Sequence, residues 1–423
     1  MRIPAAFGLR LIVLRSLRQH ALSTVVTAFS VALATGLVMA VLVLNTQTYD
    51  AFTGGPVGFD AVLGARGSQL QLVLNSVFHL QTSPGNIPWA LYTHVRDDPD
   101  VELAIPYAVG DNYRGYRIVG TTPEIFSRFE YREGRHFTPE PGGRSFDPAK
   151  REAVIGSYVA NATHLKIGDT FNPYHGVNFD AKMQHPEIYT VTAVLESTNT
   201  PSDRVIWIPI DGVYRMSGHV LAGTGKTFVA KGSEEIPDEY KEVSAVMIKF
   251  KSPQIGFQFD QTINRQGKVA TLAWPIGKVM AELFDKLGWM NKILALVAYL
   301  VGLVAAGSIL ASLYNTMNER RREFAILRVL GARRRTVFAA IVLESTAISA
   351  LGSLGGFAIY ATILSGAALV IRAQTGVVIQ VFAYHPALVL APLGMVFLGG
   401  LAGVVPALRA YSTDVASHLA PIT

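Results

Sequence analysis

Residues 222–227 read AGTGKT, and glycines followed by Lys and Thr are the composition of a loop that cradles phosphate. A loop of the G-x-x-x-x-G-K-[ST] type that closed on Gly225-Lys226-Thr227 would also need glycine at position 220, which is Val220. Gly218 and Gly223 are out of register, and Ile208-Pro209-Ile210 leads into loop-like residues rather than a helix start. The spacing therefore predicts a surface loop and no nucleotide site.

Histidines are the next candidates for chemistry. His79, His94, His136, His164, His175, His185 and His219 all fall in the middle of the chain. No His is followed by Glu, which removes the H-E-x-x-H zinc-hydrolase helix, and G-x-S-x-G does not occur. None of these histidines has a ligand partner at helical spacing, so local spacing predicts scattered histidines and no metal site. Coordination by residues far apart in sequence stays open. Nothing here supplies a catalytic centre, and the reading is of a non-catalytic chain.

The elements that would position these residues are set by hydropathy. Half of the chain is apolar (50%) and its mean hydropathy is +0.31, so membrane spans come first. A span takes about 20 uncharged apolar residues, because about 1.5 Å of rise per residue must cross a core of about 30 Å. Four stretches qualify: 21–45, 293–317, one within 336–371 that is too long for a single straight span, and 386–408. Residues 46–274 contain no such run. The first stretch is longer than the apolar region of a signal peptide and lacks a small-x-small cleavage site, so it reads as a retained span.

Arginine sets the orientation. Arg2, Arg10, Arg15 and Arg18 precede the first span, and Arg320, Arg321, Arg322, Arg328, Arg333, Arg334 and Arg335 lie between the second and third. The short link after the third span has only Arg372. By the positive-inside rule both termini are expected in the cytoplasm and the large domain outside. These flanks account for most of the net charge of +6, so no nucleic-acid partner is implied. Cysteine is absent, and the outer domain must be held by its own core.

Within that domain, short turn-bounded runs rich in β-branched and aromatic residues predict strands at 104–109, 113–119, 153–155, 189–194, 205–210, 243–250 and 269–274. Helical stretches fall at 157–165 and 254–265, which makes the domain α+β, in two lobes or one lobe with an insertion. Residues 61–89 fit helix or strand equally. From Pro275, apolar Ile276, Val279, Met280, Leu283, Phe284 and Leu287 recur at helical steps and run on toward the second span, which predicts a stalk helix.

Inside the membrane, Gly352 with Gly356 and Gly399 with Gly403 have the small-xxx-small spacing that lets helices approach closely. Glu344 is costly in hydrocarbon and is expected at the membrane interface, near Arg333–Arg335. Between the second and third spans, residues 319–330 predict a short helix with Phe324, Leu327 and Leu330 on an apolar side, stopped by Gly331. By charge alone this loop reads equally as a docking element or as an ordinary solvated loop.

Its sequence, ERRREFAILRVLGARRRTVFAAIVLES, resembles the FtsX/MacB-type ABC transporter permeases. There a cytoplasmic helix of form R-x-x-E-[IF]-x-x-L-R-x-[LI]-G-A precedes a span with an early Glu. The matching positions are Arg320, Glu323, Phe324, Leu327, Arg328, Leu330, Gly331, Ala332 and Glu344. The opening LRLIVLRSLRQHALST resembles the family's amphipathic helix, and YREGRHF, EAVIGSYVANATHLKIGDTF, YTVTAVLE and VIWIPIDGVYRMSG resemble its periplasmic core domain. Residues 61–89 match no such pattern.

The resemblance implies an α-helical membrane protein with four transmembrane helices, one plus three, and a large α+β extracytoplasmic domain between the first and second. The expected order is an amphipathic N-terminal helix (1–20), the first span (21–45), the outer domain (46–274), the stalk (275–292) and the second span (293–317). A cytoplasmic coupling helix (318–335), the third span (336–371), the fourth (386–408) and a cytoplasmic tail (409–423) follow. It further implies a bacterial inner-membrane subunit that binds no cofactor itself. ATP and Mg would be held by a cytoplasmic ABC ATPase that docks on Arg320, Glu323, Phe324, Leu327, Arg328, Leu330 and Gly331. A second permease copy or paralogue, membrane lipid, and a periplasmic adaptor or cargo protein are the other implied partners. Three uses remain open on these grounds: export or extraction of an amphiphilic cargo, signalling to a periplasmic partner such as a cell-wall hydrolase, and metal or peptide handling.

Overall fold

The computed structural model describes residues 5–53, 58–223, 236–319, 326, 328–329 and 332–412. It forms two compact units, Tyr49–Lys286 with Val370–Val378, and a second made of Met1–Thr48, Leu287–Leu369 and Ile379–Thr423.

In chain order the elements are α1 (Ala5–Gln19), α2 (Ala21–Thr53), β1 (Ala61–Ala65), α3 (Gln69–Ser76), β2 (Ile87–Pro88), α4 (Trp89–Arg96), β3 (Val101–Tyr113) and β4 (Tyr116–Thr121). Then come α5 (Glu124–Ser127), β5 (Glu152–Ile155), α6 (Ser157–Thr163), β6 (Thr170–Phe171), β7 (Tyr174–His175), β8 (Tyr189–Val194), β9 (Val205–Pro209) and α7 (Ile210–Tyr214). The chain continues through β10 (Glu242–Val243), β11 (Ala245–Phe250), α8 (Pro253–Asp260), β12 (Ala270–Ala273), α9 (Ile276–Glu319), α10 (Arg334–Thr375) and α11 (Ala387–Ser412).

The outer unit is built on one continuous sheet in the order β12-β1-β11-β3-β4-β9-β5-β8-β6, with β7 on β3. A separate ladder pairs β10 with β2. The main sheet's pairs are antiparallel except β4–β9 and β5–β8. Both faces are covered, so the strands are apolar on both sides: Ile206 and Ile208 of β9 pack into one core, Val205 and Trp207 into the other. Alternation along a two-faced strand reads as a continuous apolar run, which is why these segments were legible as strands.

Two local readings change. The single strand expected at 113–119 is a hairpin instead: Arg114 (φ 49°) and Gly115 (φ 87°) turn the chain between β3 and β4. Two central residues at positive φ make the turn whose twist suits a hairpin, and the Gly115 N–H donates to the Asn112 side chain at 3.0 Å. Residues 61–89 hold both alternatives in succession, a strand (β1) and then a helix (α3), with the Ser68 hydroxyl capping the helix by accepting from the Gln71 N–H.

Four helices are long and apolar enough to span a membrane: Ala21–Thr53, Ile276–Met317, Arg334–Thr375 and Ala387–Arg409. Within the membrane unit their packing relies on small residues. A Cβ at Gly352 would stand 2.6 Å from the Ala28 carbonyl and from Val31, and one at Gly356 would stand 2.8 Å from Thr35. α2 and α10 therefore meet nearly backbone to backbone. Gly399 and Gly403 do the same for α11 against Ser349 and Ser345 of α10. Val31, Ala34, Ala305, Ile309 and Met395 close the centre, while Val304, Leu369 and Leu393 face outward, as lipid-facing side chains do.

Candidate functional site

The strongest convergence of chemical groups lies in the outer unit, where Asp111 meets His175, His185 and His219. Three segments supply them. β3 carries a bulge between Val109 and Asp111, and a bulge re-aims the side chain beside it. β7 pairs antiparallel with β3 so that His175 is the register partner of Asp111. His185 comes from the return of the same excursion, and His219 from the segment after α7.

Each segment is pinned. The Asn112 amide donates to the carbonyls of Gly176 (2.8 Å) and Asn178 (3.3 Å), which fixes the turn after His175. The Asn172 amide donates to the carbonyls of His185 (3.1 Å) and Glu187 (3.0 Å). Glu187 accepts from both the N–H (3.0 Å) and the hydroxyl (2.6 Å) of Ser217, next to the turn that presents His219. Gly176 and Gly218, beside two of the histidines, have φ of 92° and take the left-handed turns that bring those rings back to β3.

All three rings address one atom. Asp111 Oδ1 lies 3.3 Å from His175 Nδ1, 3.1 Å from His185 Nε2 and 3.2 Å from His219 Nε2. The ring centroids are 5.3–5.5 Å apart. Asp111 and His185 are buried, His219 is nearly so, and His175 is 45% exposed in its side chain, which leaves the cluster open on one side. Burial would raise the Asp111 carboxyl, but hydrogen bonds from the three histidines outweigh it and hold it well below the usual carboxylate range. The Asp111 hydrogen bond, set against burial, raises His175.

Sequence reasoning did not find this site. Three of the histidines read as scattered are gathered here, and Asp111 was not singled out at all. The remaining four of the outer histidines stand elsewhere; His79 is half-buried, with its ring edge toward Trp207 at 6.2 Å between centroids. The only sequence signal was indirect: glycines beside His175 and His219, and a D-N-Y-R-G hairpin tip.

The other predicted residues lie in the membrane unit. Glu344 is buried on α10 and accepts a hydrogen bond from the Ser16 hydroxyl of α1, so the N-terminal helix is held to the start of the third span. Of the docking residues, Arg328 is helical and half-buried. Arg320, Glu323, Phe324, Leu327, Leu330 and Gly331 lie outside the described residues, as do Thr224 to Thr227 of the glycine-rich loop. Ala222 and Gly223 form a turn there, with the Ala222 N–H donating to the Tyr240 carbonyl at 3.1 Å.

Four apolar helices, one before and three after a sheet-based domain, give the architecture of a membrane protein with a large domain between its first and second spans. Residues 24–254 match the MacB-like periplasmic core domain and residues 295–415 the FtsX-like permease C-terminal domain. The chain belongs to the FtsX/MacB-type permease family, the membrane subunits of ABC transporters. Membership implies an ABC ATPase partner and, in general, a dimeric arrangement.

Among solved structures, the chain is similar to the extracellular domain of the noncanonic ABC-type transporter YknZ from Gram-positive bacteria, at 13% identity and a TM-score of 0.28 over 50% of this chain and 97% of that one. It is also similar to the periplasmic region of MacB from Actinobacillus actinomycetemcomitans, at 10% identity and a TM-score of 0.32 over 54% of this chain and 94% of that one.

Proposed function

We propose that this permease subunit converts ATP hydrolysis by a separate cytoplasmic ATPase into movement of its outer domain. In this reading the protein lies in the bacterial inner membrane with both termini in the cytoplasm. Two permease subunits pair, each docked on an ATPase through residues 318–335. ATP-driven closure of the ATPases pushes on that segment and tilts the second span, and the outer domain follows.

The observation that supports this reading best is α9. Its first turns place Ile276, Val279 and Met280 in the core of the outer unit, and the same helix continues without a break to Glu319, at the edge of the arginine-rich segment. A helix is stiff along its axis because every turn is hydrogen-bonded to the next. Displacement applied at one end is therefore carried to the other.

The cargo is an amphiphile taken from the outer leaflet or the periplasm. A cleft of about 520 Å³ in the outer unit supports this, because it sets apolar Phe59, Trp274 and Ile276 beside charged Asp60, Glu130 and Lys249. Co-purification of the cognate ATPase with Leu327→Asp and Glu323→Lys variants tests the docking step. Loss of the complex is expected, and an undiminished complex with undiminished coupled ATP hydrolysis would refute it.

A further inference from the structure

We infer that Asp111, His175, His185 and His219 form a binding site for a divalent transition-metal ion of the zinc class in the outer domain. The inference stands on the geometry of these four side chains and does not rest on the transport reading.

Hydrogen bonding alone leaves the cluster overcrowded. A carboxylate oxygen offers about two lone-pair directions, yet three ring nitrogens stand 3.1–3.3 Å from the single atom Asp111 Oδ1. His185 sharpens the conflict. Its Nδ1 lies 2.9 Å from the Ser217 carbonyl oxygen, which can only accept, so Nδ1 carries the proton. Nε2 is the ring nitrogen left to face the Asp111 carboxylate, at 3.1 Å. A cation seated between them would take both as ligands.

The distances fit that cation. Around a zinc ion with bonds of about 2.0–2.1 Å, tetrahedral ligand atoms are separated by about 3.3–3.4 Å. The three nitrogen-to-oxygen edges observed are 3.1, 3.2 and 3.3 Å, and all four ligand atoms lie within 4.8 Å of one another. A zinc-ligating histidine characteristically donates its other ring N–H to a carbonyl or carboxylate, which fixes the tautomer. The Ser217 carbonyl supplies that partner for His185. Three imidazoles with one carboxylate select zinc and its neighbours over calcium or magnesium, which prefer all-oxygen shells. His175, half exposed, sits on the side from which an ion arrives. The bound ion staples β3, the excursion through residues 174–185 and the segment after α7 to one point.

The test uses the full chain in detergent, purified through a histidine-free tag, dialysed against chelator and then loaded with zinc alone. Elemental analysis is expected to give about one zinc per chain in the wild type and in His94→Ala, an exposed histidine outside the cluster. Most of it should be lost in His219→Ala and in His175→Ala, the half-exposed ligand whose removal is least disruptive to folding. Cobalt loaded into the wild type should show the intense visible absorption of a four-coordinate site. Zinc content equal in wild type and His175→Ala, or only the weak bands of six-coordinate cobalt, overturns the inference.

Discussion

The Ser217 carbonyl accepts a hydrogen bond from His185 Nδ1–H at 2.9 Å and so leaves the opposite ring nitrogen facing Asp111. One backbone oxygen thereby sets the chemistry of a side chain thirty-two positions away in sequence. Zinc should stabilise the folded protein through this arrangement. At a free concentration of one hundred times Kd, a ligand of the native state alone adds about 2.7 kcal/mol. Thermal melts of the detergent-solubilised chain should move upward with zinc, return with chelator, and stay still in His219→Ala; an equal shift in that variant would place the effect elsewhere.

A second prediction concerns glycine packing. Gly352 leaves no room for a side chain against Ala28 and Val31, whereas nothing lies within 4 Å of a Cβ at Gly366. Gly352→Leu should force α2 and α10 apart at a cost of about 1–3 kcal/mol or more. Gly366→Ala should be at least as stable as the wild type, because alanine is the better helix former by about 0.5–1 kcal/mol. The temperature at which each variant leaves solution in detergent compares them, and equal temperatures would contradict close helix contact at Gly352.

The Ser16–Glu344 contact makes a third. Ser16→Ala removes a donor from the buried Glu344 side chain, and leaving a buried polar group short of a partner costs about 1–3 kcal/mol. Limited proteolysis should cut the N-terminal helix faster in Ser16→Ala than in wild type. An unchanged rate would mean that this hydrogen bond does not hold α1 in place.

His79 gives a pH dependence with a definite sign. It sits at φ 56° with its Nδ1 enclosed, and burial first, then the charges of Arg117 and Arg204, lower its pKa to about 3. An unfolded histidine titrates near 6.5, so between about pH 6.5 and 3 the unfolded chain binds the extra proton. The contribution is complete above 6.5 and is lost as pH falls through this window, by about 2 kcal/mol between pH 7 and 5. His79→Asn, which tolerates positive φ, should flatten that decline in denaturant titrations. The same slope in both proteins would exclude His79 as its source.

The fold was legible where a single physical requirement dominates. Residues 21–45 and 386–408 read as spans because no charge interrupts them, and Val205–Pro209 had to be a strand because both of its faces are buried. Tyr113 to Tyr116 failed because residues of high β propensity flank Arg114-Gly115, and only the backbone dihedrals there reveal the turn. The histidine cluster was illegible for a deeper reason. Asp111 and His219 lie 108 positions apart and meet at 3.2 Å only because β3 bulges and two left-handed glycine turns fold back onto it. No local period encodes such a meeting.

Movement of the outer domain driven by ATP hydrolysis can be measured within one chain. The sequence has no cysteine, so exposed Lys166 in the outer unit and exposed Tyr384 in the membrane unit can each be replaced by a labelled thiol, Lys166→Cys and Tyr384→Cys. In lipid nanodiscs with the cognate ATPase bound, pulsed electron resonance reads the distance between the two labels. The distance distribution is expected to shift between the nucleotide-free and ATP-trapped complexes and to stay still when the ATPase is absent. A distribution unchanged by ATP in a complex that is hydrolysing it would mean that hydrolysis does not move the outer domain.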